Sequence, residues 1–135
     1  MKKIRTGVVG VGFIGAAHID AVRRLGYVEV AAIAVRHDAE AIAERLSVAH
    51  AYTDYREMID KENLDAIHIC TPNVSHYEIA VYAMERGLHV MCEKPLAFTV
   101  AEAEALTKLA QETGLVNAVN FHCRYYPMIR QMREM

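Results

Sequence analysis

The sequence predicts an α/β fold: a doubly wound parallel sheet of about six strands with helices on both faces. Three observations point there. Short β-rich runs alternate with helix-length segments along the chain. The runs are almost continuously apolar and do not alternate with polar residues, as expected of strands covered on both faces. The connections are short, and no internal repeat, low-complexity tract or Pro/Ser-rich linker divides the chain.

The strand candidates, in order, are IRTGVVGV from Ile4, YVEVAAIAV from Tyr27, AHAY from Ala49, LDAIHIC from Leu64, LHVMC from Leu88 and LVNAVNF from Leu115. After the first, Phe13, Ile14, Ala17, Ala21, Val22 and Leu25 form one apolar helical stripe. Arg23 and Arg24 point elsewhere, and Gly26 supplies a left-handed stop. Ser75 with Glu78, and Thr99 with Glu102, have capping-box spacing, in which hydroxyl and carboxylate satisfy the free amides of a helix start. Asp54 with Glu57 is a looser version, and Gly87 and Gly114 close the two longer helices. In such a sheet a ligand binds beyond the carboxyl ends of the strands.

Composition narrows the partners. The 135 residues suit one domain, with 53% apolar and 24% charged residues. A formal net charge of −2 offers no electrostatic reason to expect nucleic acid or an anionic membrane, so a small molecule is the expected partner. MKKIRTGVVGVG starts basic but continues into glycines and Phe13 instead of a signal-peptide core, and no 18-residue apolar run follows, so a cytoplasmic protein is expected. Cys70, Cys92 and Cys123 have no CxxC spacing; neither a metal site nor a disulfide framework is predicted.

The chemistry-bearing motifs fall at predicted strand ends. Gly10, Gly12 and Gly15 have G-x-G-x-x-G spacing between a strand and an amphipathic helix. Gly10 permits a tight turn, Gly12 lets the backbone approach a pyrophosphate, and Gly15 lets the helix pack closely on the strand. About twenty residues beyond such a loop an acid usually bonds the adenosine ribose. Val35 stands there instead, followed by Arg36 and His37. An arginine can pair with a 2′-phosphate, so a preference for NADP(H) over NAD(H) is expected; the alternative is a solvated Arg36 beside a helix-capping Asp38. Thr71, Pro72 and Asn73 follow the fourth strand, where Pro72 suits a turn and Asn73 offers both donor and acceptor groups. His76 begins the next helix, as a ligand contact or as a first-turn surface residue.

The run HVMCEKPLAF then ends the fifth strand at Cys92, so Glu93 and Lys94 are expected to project into the crevice. A lysine there can exchange a proton with a substrate hydroxyl or carbonyl, and Pro95 restricts the conformation that aims it.

Together, the loop from Gly10 to Gly15 with His18, the TPN of Thr71–Asn73 with His76, GLHVMCEKPLA at 87–97 and NFHCRYYP at 120–127 resemble the N-terminal domain of the Gfo/Idh/MocA oxidoreductases, over essentially the whole chain. The EKP run is the more specific part of the match. The resemblance implies a Rossmann domain of a nicotinamide-dependent dehydrogenase acting on a sugar, cyclitol or related polyol. It implies that Lys94 stands beside the nicotinamide and the substrate, across a cis Lys94–Pro95 bond. Phe13 and Ile14 in the loop, with Thr71, Asn73, His76 and Glu93, would contact the cofactor, and Asn120 and Arg124 would lie near the crevice. It further implies residues 1–122 as the dinucleotide-binding domain and 123–135 as the start of a connection to a second domain, which the chain, stopping inside MIRQMREM, does not contain. A fragment that binds cofactor without a complete active site is therefore expected, from an intact protein that is a homo-oligomer. Two other outcomes remain open: elimination or glycoside cleavage through transient oxidation, and a cofactor-sensing module without catalysis.

Overall fold

The computed structural model describes residues 3–135. Six strands, β1 (Ile4–Val9), β2 (Val28–Ala34), β3 (His50–Tyr52), β4 (Ala66–Ile69), β5 (His89–Cys92) and β6 (Asn117–Val119), form one sheet. Its order is β3-β2-β1-β4-β5-β6, with every neighbouring pair parallel. The chain moves outward from β1 to β3, then returns to the other side of β1. The order therefore reverses between β1 and β4, and that break places a crevice at the carboxyl ends of the strands.

Helices α1 (Phe13–Arg24) and α2 (Ala39–Arg45) cover one face, and α3 (Tyr55–Lys61), α4 (His76–Met84) and α5 (Val100–Thr113) cover the other. A last helix, α6 (Pro127–Glu134), follows β6. Consecutive strand residues serve opposite layers: Val8 packs with Ile19, Val22, Ile33 and Ala43, whereas Val9 packs with Met58, Ile67, Ile69 and Ile79. Both positions of the two-residue strand period are thus buried, which is why the runs are apolar without alternation. Each fully buried Ile or Met here contributes roughly 1.5–3 kcal/mol. Among the described residues no helix is long and apolar enough to cross a membrane.

Helix ends follow their local chemistry where that chemistry is self-contained. Glu102 N–H donates to Thr99 Oγ1 at 3.2 Å, and Thr99 N–H donates back to Glu102 Oε2 at 2.9 Å, which completes the capping box of α5. Asp54 Oδ1 accepts from Arg56 N–H at 2.8 Å at the start of α3. Gly26, Gly87 and Gly114 take positive φ just past their helices, at 75°, 78° and 65°.

Two expectations are corrected. Ser75 does not cap α4: it sits at the end of a 3₁₀ turn (Asn73–Ser75) in helical conformation, and its hydroxyl donates toward Thr71 Oγ1 and the Pro72 carbonyl instead. The apolar stripe of α1 is also rotated from the expected one. Phe13, Ala17, Ala21 and Leu25 are exposed, Phe13 almost entirely so at 93%, and the buried residues are Gly15, His18, Ile19 and Val22. The small Gly15 sets that face by letting the helix approach the sheet, and it carries His18 inward one turn later.

Candidate functional site

At the end of β1 the chain turns at Gly10, whose φ of 83° suits glycine and whose N–H donates to the Ala34 carbonyl at 2.8 Å. A Cβ on Gly15 would overlap the Gly10 carbonyl oxygen, so the turn and the first turn of α1 are in direct backbone contact. Gly12 is different, because a Cβ there would meet nothing within 4 Å. As N-cap of α1 it supplies no side-chain oxygen, which leaves the first-turn amides open to an anion. A bare, exposed backbone at Gly12 between two tightly packed glycines fits a pyrophosphate.

Gly10 and Gly12 line a cavity of about 530 Å³ together with Arg36, Thr71, Ser75 and Arg56. Arg36 is exposed there, as expected for a group that meets a ligand or water. Asp38 precedes α2 with a φ of 54° but makes no side-chain cap bond. Arg56 was not found from the sequence; its guanidinium lies over the Tyr55 ring at 4.5 Å and 3.9 Å from Glu78. Phe13 and Asn73 are exposed at the same edge, and Ile14 is half-buried against the α1 layer.

The second half of the site is built at the ends of β5 and β6. Lys94 lines a cavity of about 380 Å³ with Phe121, His122, Cys123 and Arg124. Among the described residues neither Lys94 nor Arg124 forms an ion pair, so two cations face a largely apolar hollow. The Lys94–Pro95 bond is cis.

Glu93 departs from expectation: it does not project into the crevice. It is 6% exposed, and its Oε1 accepts from Asn120 Nδ2 at 2.5 Å and from His18 Nε2 at 2.9 Å. Its Oε2 accepts from the Lys94 N–H at 3.3 Å. Burial pushes the Glu93 carboxyl up, but the hydrogen bonds from Asn120, His18 and the Lys94 amide outweigh it, and the net shift is downward. Behind His18, its Nδ1 meets His68 Nδ1 at 2.9 Å. Burial first, and then His18, push His68 down to about 4, so its ring is neutral.

His76 also departs from expectation, being wholly buried. Its Nδ1 lies 2.7 Å from the Pro95 carbonyl and its Nε2 2.9 Å from the Thr71 carbonyl, so the ring ties the loop after β4 to the loop after β5. Thr71 lines one cavity, and Pro95 follows Lys94, which lines the other. Cys70 and Cys92 are buried beside these strand ends, and burial, then the Glu93 carboxylate, push both thiols up to about 12. Cys123 is exposed.

The structure thus gathers Gly10, Gly12, Arg36 and Thr71 at one cavity and Lys94 and Arg124 at the other, with Glu93, His76 and Asn120 as the supports behind them. The roles of His18 and Arg56 were missed, whereas His68, inside its strand, is the satisfied histidine its apolar neighbours imply. For His18 a signal existed, since a histidine three residues after Gly15 shares its helix face.

Comparison with known proteins identifies the family of the fold. The profile of the Gfo/Idh/MocA family, described as an oxidoreductase family with an NAD-binding Rossmann fold, matches residues 4–121. The chain is 36% identical over 126 residues to 4-carboxy-2-hydroxymuconate-6-semialdehyde dehydrogenase of a Sphingobium species, covering 92% of this chain and 40% of that one. It is 32% identical over 131 residues to D-xylose 1-dehydrogenase (NADP(+)) 2 of Haloferax volcanii, covering 96% and 40%. The crystal structure of myo-inositol 2-dehydrogenase from Lactobacillus plantarum superposes with a TM-score of 0.91 at 32% identity, over 98% of this chain and 40% of that one. The chain therefore spans about 40% of the length of these relatives.

Proposed function

This chain belongs to the Gfo/Idh/MocA oxidoreductase family, and we propose that it is the cofactor-binding part of a nicotinamide-dependent dehydrogenase acting on a sugar, cyclitol or related polyol. Residues 1–122 form the dinucleotide-binding domain, and 123–135 begin the connection to a second domain that completes the substrate site. The observation that carries this reading is the position of Lys94: it leaves the end of β5 at the same edge of the sheet as the glycine turn and lines its own cavity with Arg124.

Within this reading Gly10, Gly12 and the first-turn amides of α1, at Phe13 and Ile14, hold the pyrophosphate. Thr71 and Asn73 border the middle of the cofactor, and Asn120 and Arg124 border its nicotinamide end. When bound, the nicotinamide ring supplies the hydride chemistry. Lys94 Nζ holds or moves the proton at the substrate oxygen, while the loops tied by His76 fix where that amine starts.

Cofactor preference is read as NADP(H). Support comes from Arg36 in the cavity of the glycine turn, the absence of an acid at position 35, and Arg56 as a second guanidinium on the same cavity. The Haloferax volcanii relative carries NADP(+) in its name. A cytoplasmic homo-oligomer completes the reading.

The test is Lys94→Ala in the intact protein. Turnover of a polyol substrate falls by about 100-fold or more, while the cofactor dissociation constant stays within about threefold. Unchanged turnover removes Lys94 from the mechanism. Net accumulation of reduced cofactor separates a dehydrogenase from a transient-oxidation lyase.

A further inference from the structure

Behind the edge that borders the dinucleotide lies a group of side chains whose contacts with one another cofactor binding does not explain. Glu93, His18, His68 and Asn120 come from the end of β5, from α1, from β4 and from the end of β6, yet they form one continuous hydrogen-bonded chain beneath Lys94. The direction of its protons follows from what each group can donate. The Glu93 carboxylate only accepts, so His18 Nε2 carries a hydrogen toward it. The other His18 nitrogen meets His68 Nδ1 at 2.9 Å, where one ring donates and the other accepts. The chain ends at the Lys94 N–H, a backbone donor that Glu93 Oε2 satisfies.

We propose that Glu93 is the positioning residue of Lys94, with His18 as its buried anchor. The inference rests on the reading of Lys94 as the proton-handling group. A carboxylate suits the place because both of its oxygens accept. One holds His18 and Asn120, and the other holds the lysine's own amide, so the residue that carries the amine is fixed from inside the core. An amide at position 93 offers a single oxygen: turned toward His18 and Asn120 it sets an NH₂ against the Lys94 N–H, and turned the other way it sets that NH₂ against the Asn120 NH₂ and obliges His18 to change tautomer. Either arrangement loosens the start of the lysine side chain without removing the lysine.

The experiment is a double-mutant cycle in the intact protein, with Glu93→Gln, Lys94→Ala and the pair. Glu93→Gln is expected to lower kcat by about 10- to 100-fold, the range for misplacing a reacting group by about an ångström, while substrate KM and cofactor Kd stay within about threefold. Because Glu93 acts through Lys94, the double variant is no slower than Lys94→Ala alone. Multiplicative losses, or an unchanged kcat in Glu93→Gln, overturn the proposal. Should Glu93→Gln fail to fold, His18→Asn, which keeps the carboxylate and shortens its partner, carries the same cycle with the same expected and overturning results. If Lys94→Ala itself keeps full turnover, the catalytic reading fails and the inference falls with it. If Lys94→Ala is inactive and Glu93→Gln is not, the inference alone fails.

Discussion

The buried imidazole of His68 makes a quantitative prediction about acid. In the fold its pKa is pushed from 6.5 down to about 4, by burial and then by the neighbouring His18. As the pH falls below 6.5 the unfolded chain takes up a proton that the native ring refuses. The stability associated with a neutral His68 is therefore fully present above pH 6.5 and is lost as the pH falls toward 4. Each pH unit across that window is worth about 1.4 kcal/mol, so the loss reaches about 2 kcal/mol at pH 5 and about 3 kcal/mol at pH 4. Other groups titrate in the same range, so the measurement is a difference between wild type and His68→Gln, which keeps a polar side chain but no titrating ring. Urea unfolding at pH 7 and pH 5 gives both free energies for each protein. The advantage of wild type over the variant should shrink by about 2 kcal/mol between those values. A change below about 0.5 kcal/mol would mean that the ring titrates normally in the fold and that its burial is not what the structure shows.

Two further substitutions examine the glycine turn and the adenosine end. Arg36→Ala is expected to weaken NADPH binding by about 10-fold and leave NADH within about twofold, measured by cofactor fluorescence titration; unchanged NADPH affinity, or tighter NADH binding by wild type, refutes the 2′-phosphate role. Gly15→Ala drives a Cβ into the Gly10 carbonyl, where backbone atoms on both sides cannot step aside. It should cost at least about 2 kcal/mol in urea unfolding and weaken both cofactors together, and an unaltered midpoint with unaltered affinity refutes the close contact.

What was legible in the sequence was what neighbours decide. The strands were found because consecutive residues of β1 and β2 are buried on both faces, so their later residues form nearly continuous apolar runs. Thr99 and Glu102 stand three residues apart and cap each other with no help from elsewhere. Ser75 and Glu78 have the same spacing, yet the 3₁₀ turn after Pro72 puts Ser75 in helical conformation and occupies its hydroxyl. The burial of His18 was illegible for another reason. A polar group goes inside only when a partner waits there, and that partner, Glu93, lies 75 residues along the chain. The same holds for His76, whose acceptors include the Pro95 carbonyl 19 residues away. Hydrophobicity alone favoured Phe13 and Leu25 for the inner face of α1, although a pair of remote contacts had already turned that face toward Gly15 and His18.

The contrast among the three thiols has a practical consequence. Cys70 and Cys92 are shut away and remain protonated at any working pH, which makes them poor nucleophiles, whereas Cys123 is open and borders the hollow occupied by Lys94. Of these three thiols, Cys123 is therefore the one that a maleimide dye, applied gently, reaches. A label there sits on the wall of the hollow that Lys94 lines, so the cleft can be marked without altering a single residue.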